Sequence, residues 1–180
     1  FDSAGTFVEG EIMVGILAEH LSILEQDPTV IYEPRLVFNT QEICERIGAR
    51  AIRSRTGHLF MKSAMRSSGA VYGGEISAHH YFRDFFFCDS GMIPLLLVCE
   101  LLGANGLPLS ELVAKRRGMF PSSGEINFSV KDVREILAKI EGVYGAIAND
   151  VDRTDGLSFL FDDWRFNIRA SNTEPLVRLN

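Results

Sequence analysis

The chain has 180 residues, 46% of them apolar, and a formal net charge of −6 at pH 7. That apolar share is enough for a buried core, which excludes disorder throughout, and the length suits one large domain or two small ones. An acidic balance carries no electrostatic footprint for nucleic acid, so a role in anion binding has to come from a focused local pocket and a small ligand.

In chain order, residues 1–10 hold one β-like piece, residues 6–8, and read as the remnant of a preceding domain. Residues 11–25 predict an amphipathic helix, with Ile12, Ile16, Leu17, Leu21 and Leu24 on one stripe. Val30-Ile31-Tyr32 reads as a buried strand. Thr40 is expected to cap a helix carrying Ile43 and Ile47, Ala51-Ile52 to form a second strand, residues 59–66 a further helix, and Ala70-Val71-Tyr72 a third strand. Strands separated by helices of this length predict an α/β domain over residues 11–120, a three-layer mixed or parallel sheet with helices on both faces. Ser90 opens an apolar helix to about residue 102, with Pro94 tolerated in its first turn, and Ser110 opens another that ends near Gly118.

Past Pro121-Ser122-Ser123-Gly124 the pattern changes. A strand at residues 125–130, a helix at 132–144 and strands near Val151, at 158–161 and at 165–168 predict a smaller α+β domain with an antiparallel sheet over residues 121–180.

The longest apolar run, Met92 to Cys99, is far shorter than the roughly 20 residues of a membrane span, so no membrane partner is expected. Cys44, Cys88 and Cys99 are odd in number and form no C-x-x-C pair, which favours reduced thiols in a cytoplasmic protein. Asp2, Glu9 and Glu11 stand where a secretory leader would be basic and apolar. A chain running from Phe1 to Asn180, which falls within the apolar run following Pro175, reads as cut at both ends.

Three polar clusters follow directly on the first three strands: Glu33-Pro34-Arg35, then Arg53-Ser54-Arg55-Thr56-Gly57-His58, then Gly73-Gly74-Glu75-Ile76-Ser77-Ala78-His79-His80. Ligands of open α/β sheets sit beyond the carboxyl ends of the strands, so these loops are expected to converge on one rim. In an extended segment Glu75, Ser77 and His79 share a side, where a carboxylate and a hydroxyl suit neighbouring sugar hydroxyls and an imidazole suits an anionic oxygen. His79 and His80 then point oppositely and find no third donor at a suitable spacing, so no metal is expected in this chain. Near the end, Arg169-Ala170-Ser171-Asn172-Thr173-Glu174-Pro175-Leu176-Val177-Arg178 places guanidinium, hydroxyl and amide donors around a turn, the chemistry of a phosphate cradle. An Asx-type turn flanked by two surface arginines is the competing reading.

The pair G-G-E-I-S-A-H-H-Y-F and R-A-S-N-T-E-P-L-V-R, in that order and about ninety residues apart, resembles the α-D-phosphohexomutases, in particular their bacterial phosphomannomutase and phosphoglucomutase branch. R-T-G-H at Arg55 to His58, Y-F-R-D-F-F-F-C-D-S-G-M from Tyr81 and V-D-R-T-D-G from Val151 add to the likeness, which covers essentially the whole chain. Ile76 departs from the Met common in the family, and Arg55 from a frequent Lys. The resemblance implies a four-domain enzyme, of which this chain holds the end of the second domain, the third and most of the fourth. It implies a hexose-phosphate mutase of carbohydrate metabolism, an isomerase interconverting the 1- and 6-phosphates of mannose or glucose through a phosphoserine and a sugar bisphosphate.

By the same resemblance, Glu75, Ser77 and His79 bind the sugar, with Glu75 and Ser77 on two ring hydroxyls. Arg169, Ser171, Asn172 and Thr173 hold the phosphate, joined by Arg178 and Arg35, and His58 lines the cleft as an acid/base or phosphate contact. The phosphoserine and an aspartate-rich Mg²⁺ loop belong to the missing N-terminal domains, so Mg²⁺ is expected outside this chain and the chain alone is expected to be inactive. Two rivals remain: a non-catalytic phosphosugar-binding module, and an unrelated α/β phosphosugar isomerase, for which only His58 and His79 offer an acid/base.

Overall fold

The computed structural model describes residues 1–23, 25–171 and 174–180, and divides into two compact units, Phe1–Pro121 and Ser122–Asn180. In the first, α1 (Gly10–Ser22) precedes β1 (Thr29–Tyr32), α2 (Val37–Ile47), β2 (Arg50–Arg53), α3 (His58–Ser68) and β3 (Tyr72–Gly74). β4 (His80–Phe82), a 3-10 turn (Arg83–Phe85) and β5 (Cys88–Asp89) follow, and then α4 (Met92–Asn105) and α5 (Leu109–Met119). The sheet order is β2-β1-β3-β4-β5, parallel from β2 to β3 and antiparallel from β3 to β5.

Side chains alternate across β1, and that alternation separates the two faces. Val30 and Tyr32 pack with Val14, Leu17, Val37 and Cys44 under α1 and α2, whereas Ile31 packs with Met61, Met65 and Tyr81 under α3. A three-layer arrangement results, as the strand–helix alternation predicts. Asn39 ties the helices on one side together. Its Nδ2 donates to the Glu11 carbonyl at 2.9 Å, and its Oδ1 accepts from Nε of the buried Arg116 in α5 at 2.6 Å.

Several details differ from the sequence expectations. Residues 6–8 form no strand; Val8 packs with Ile12, Leu101 and Val113, while Arg117 donates to the Phe7 carbonyl and to Glu9. Thr40 caps nothing, because α2 begins at Val37 and buries Thr40 in its interior. The third strand sits two residues later than expected, which places Gly73 and Gly74 inside the sheet.

The second unit holds β6 (Ile126–Ser129), α6 (Val133–Tyr144), β7 (Asp150–Asp152), β8 (Leu157–Leu160), β9 (Arg165–Ala170) and β10 (Leu176–Leu179). All pairings in the order β6-β10-β9-β8-β7 are antiparallel. Asp132 caps α6 by accepting from the backbone N–H groups of Arg134 and Glu135, which satisfies two of the helix's orphan donors. Leu137, Ile140 and Tyr144 then pack on Leu157, Phe159, Ile168 and Val177, with Phe159 and Phe166 paired across β8 and β9 and stacked at 4.9 Å. Among the described residues, no single helix is long and apolar enough to cross a membrane.

Candidate functional site

The registers Tyr32↔Arg53 and Tyr32↔Gly74 bring the carboxyl ends of β1, β2 and β3 level, and the three polar clusters meet there. Glu33 joins them. Fully buried, it accepts from the Arg35 guanidinium at 2.6 Å and the Thr56 hydroxyl at 2.5 Å through Oε2, and from the Ile76 N–H at 3.0 Å through Oε1. One carboxylate thereby fastens all three loops by charge-assisted bonds. Gly10 supports the arrangement, because a Cβ there would lie 2.2 Å from the Ile76 carbonyl oxygen. Arg35 is itself buried against Glu33, which spends part of the guanidinium expected to hold phosphate on the rim's own architecture.

The segment from Glu75 to His79 is a tight connection between β3 and β4. The Glu75 N–H donates to the His79 carbonyl and the Ala78 N–H to the Glu75 carbonyl, both at 3.0 Å, with Ala78 at φ +63°. The premise of an extended segment with Glu75, Ser77 and His79 on one side is therefore corrected: the turn brings these residues together. Ser77 Oγ lies 2.8 Å from His79 Nδ1, both side chains are exposed, and the Glu75 carboxylate is 3.5 Å from the same nitrogen.

Glu75 is buried, with its orientation fixed by the Gly57 N–H at 2.5 Å on Oε1 and the Tyr81 hydroxyl at 2.6 Å on Oε2. Burial and this hydrogen bond hold the Tyr81 phenol well above its ordinary range, so it stays protonated and donates. His58, half-exposed at the start of α3, places its ring centroid 4.9 Å from that of His79 and 5.4 Å from that of Tyr81, with Nδ1 3.4 Å from Asp89 Oδ1. His80 faces the other side of the sheet, where it is bonded to the Tyr72 hydroxyl at 2.6 Å. Burial, with a smaller contribution from His79, pushes its imidazole down to about 4.

The first unit thus unites Arg35, His58, Glu75, Ser77 and His79 on one rim. Glu33, Thr56, Tyr81 and Asp89 join them, although sequence reasoning did not select these four. Glu33 did carry one signal, its place directly after a strand.

In the second unit, β9 and β10 pair Arg169 with Arg178, so both side chains stand on one face of the sheet. Arg178 reaches Glu125 at 3.2 Å, and the Ser171 N–H donates to the Leu176 carbonyl at the neck of the connection. Asn172 and Thr173 lie outside the described residues. The V-D-R-T-D-G stretch contributes Gly156, at φ +73°, against the Cβ of Arg169. A Cβ on Gly156 would lie 2.5 Å from it and 2.5 Å from the Ile168 carbonyl oxygen.

Two family models cover nearly the whole chain: the phosphoglucomutase/phosphomannomutase alpha/beta/alpha domain III over residues 9–119, and the C-terminal domain of the same family over residues 125–180. The chain belongs to the phosphoglucomutase/phosphomannomutase family. It is 52% identical to a phosphomannomutase of Salmonella montevideo and 49% identical to a protein named for phosphohexose mutases from Xanthomonas campestris, with 100% of this chain matched in both cases. It spans 40% of the length of those relatives. A solved phosphoglucomutase/phosphomannomutase family protein of Burkholderia thailandensis shares the fold, with a TM-score of 0.78 at 24% identity over 97% of this chain and 37% of that one.

Proposed function

We propose that this chain is the sugar- and phosphate-binding part of a cytoplasmic hexose-phosphate mutase that moves a phosphoryl group between the 1- and 6-positions of mannose or glucose. The observation that carries the reading is the rim itself, where three strand-end loops fastened by Glu33 present Ser77 and His79 to solvent above a buried, oriented Glu75. Its support is the membership of a family whose curated relatives are named phosphomannomutase.

In this reading Ser77 and the remaining lone pairs of Glu75 bind ring hydroxyls, and His79 and His58 stand beside the anionic oxygens. Arg169, Ser171, Asn172 and Thr173, with Arg178, hold the phosphate that is not being transferred. Phosphoryl transfer depends on positioning and charge stabilisation, so these residues orient the sugar for a phosphoserine supplied elsewhere in the whole protein. The chain by itself is then inactive as a mutase.

The family also implies magnesium. That ion takes oxygen ligands in octahedral geometry, and the one group of donors this chain brings together among its described residues, His58, Glu75 and His79, is two-thirds nitrogen. The donors do not fit, and magnesium is assigned to a part of the protein beyond this chain. The free thiols of Cys44, Cys88 and Cys99 support the cytoplasmic location.

Ser77→Ala and His79→Ala in the full-length protein test the rim, since both side chains are exposed and do not brace the fold. Each is expected to lower kcat/KM for mannose 1-phosphate by about 10- to 100-fold, the loss of one to two hydrogen bonds to substrate. Unchanged kinetics in both variants would remove the rim from the substrate site.

A further inference from the structure

We propose that the first unit carries a second binding site, at the end of its sheet away from the rim, for a small organic oxyanion: a carboxylate or phosphate on a short apolar body. α1 ends at Ser22 before β1 begins, and α2 ends at Ile47 before β2 begins. Their last turns therefore stand at the amino ends of the parallel strands, whereas the rim is built at the carboxyl ends. There the two turns, with α4 and α5, surround a cavity of about 330 Å³. Small-molecule sites begin near that size. None of the side chains assigned to substrate lines it.

The lining suits such a molecule on two counts. Ile16 and Leu101, both buried, give the cavity an apolar wall. Its charged side chains are Arg46, Lys115 and Arg116 against the one carboxylate of Glu19, so it is locally positive in a chain of net charge −6. A cation-lined hollow with low-dielectric walls concentrates anions. The three cations are differently committed. Arg46 is spent on Glu19, at 2.7 and 3.0 Å, and on Glu42, at 3.2 Å. Arg116 is 7% exposed; its Nε and Nη2 donate to Asn39 and Glu42, but Nη1 has the Met119 thioether at 3.9 Å, a weak acceptor. Lys115 is exposed and makes no ion pair among the described residues. With Arg46 and Glu19 neutralising each other, a buried guanidinium nitrogen and an unpaired ammonium remain to give an oxyanion charge-assisted hydrogen bonds.

The test is proton NMR of the chain, in which one of the four histidines, His20, lines the cavity. Phenyl phosphate and benzoate are titrated as the phosphate and carboxylate forms of one apolar body, with benzyl alcohol as its neutral counterpart and inorganic phosphate as the head alone. The expected result is saturable movement of the His20 ring resonances by at least one of the two aromatic anions, with a dissociation constant on the order of 1 mM or lower. The tighter of the two identifies the head group. Benzyl alcohol and inorganic phosphate should each bind at least about tenfold more weakly. Lys115→Glu should weaken binding by about tenfold or more, and Lys115→Arg should retain it. Because Lys115 is exposed, neither change touches the core, and the unsubstituted chain reports independently of both. No saturable movement of His20 by either anion up to about 10 mM, equal binding of benzyl alcohol or inorganic phosphate, or indifference to Lys115→Glu would each overturn the proposal.

Discussion

Replacing Glu33 with Gln keeps the side chain's volume and removes its charge, and the effect on the rim can be worked out from three hydrogen bonds. In the folded chain Oε2 accepts from Arg35 and Thr56, and Oε1 from the Ile76 N–H. A glutamine must set its NH₂ where one of these oxygens stood, so a donor faces a donor in either orientation. Arg35, 4% exposed, also loses its carboxylate. Breaking a buried ion pair by removing one partner costs about 3 to 5 kcal/mol, and the three contacts share one group, so their separate contributions do not add. With a urea slope of about 2 kcal/mol/M, the midpoint should fall by roughly 2 M. Far-UV circular dichroism follows the first unit, which holds five of the six α-helices among the described residues, and emission from the single tryptophan, Trp164, follows the second. In an Arg35→Gln background the same Glu33→Gln change should cost less than half as much. A midpoint shift below about 0.3 M would refute the claim that Glu33 fastens the three loops.

The second unit and the pH response offer further checks. Gly156→Ala puts a Cβ against Arg169 and the Ile168 carbonyl at a positive φ, so a loss of about 2 to 4 kcal/mol is expected in urea unfolding followed by Trp164 emission. A loss under about 0.5 kcal/mol would mean that Gly156 does not constrain the Arg169 strand. Burial alone would push the Glu42 carboxyl up, but hydrogen bonds from Arg116 and Arg46 outweigh it and hold the group below its ordinary range. Its contribution to stability is therefore complete above the unfolded value of about 4.3 and is lost as pH falls through the lower folded value. Urea midpoints measured from pH 6 to 3 should fall more steeply in the unsubstituted chain than in Glu42→Gln, and parallel curves would contradict this.

The parallel part of the first sheet was legible because Val30-Ile31-Tyr32 is apolar on both faces and helices of the right length separate the strands. The β4–β5 hairpin was not, because its reversal carries no glycine or asparagine. Phe86 and Phe87 occupy positive φ themselves, at 55° and 58°, and the run of aromatics gives no turn signal. Ala78 conceals the Glu75 turn in the same way, so Gly73-Gly74, the visible signal, drew the loop two residues too early. At the site, the residue types were readable and their roles were not. Glu33 looks like a solvated loop charge until Thr56 and Ile76, 23 and 43 residues away, are brought to it. The meeting of His58 with Glu75 and His79 depends likewise on the level strand ends rather than on any spacing in the chain.

The most direct test of the proposed function is phosphorus NMR of the full-length protein with mannose 1-phosphate, magnesium and a catalytic amount of the sugar bisphosphate. The account predicts growth of the 6-phosphate signal in that protein, its strong reduction in His79→Ala, and none with the 180-residue chain alone. No conversion by the full-length protein from either mannose or glucose 1-phosphate, or conversion by the chain alone, would contradict it.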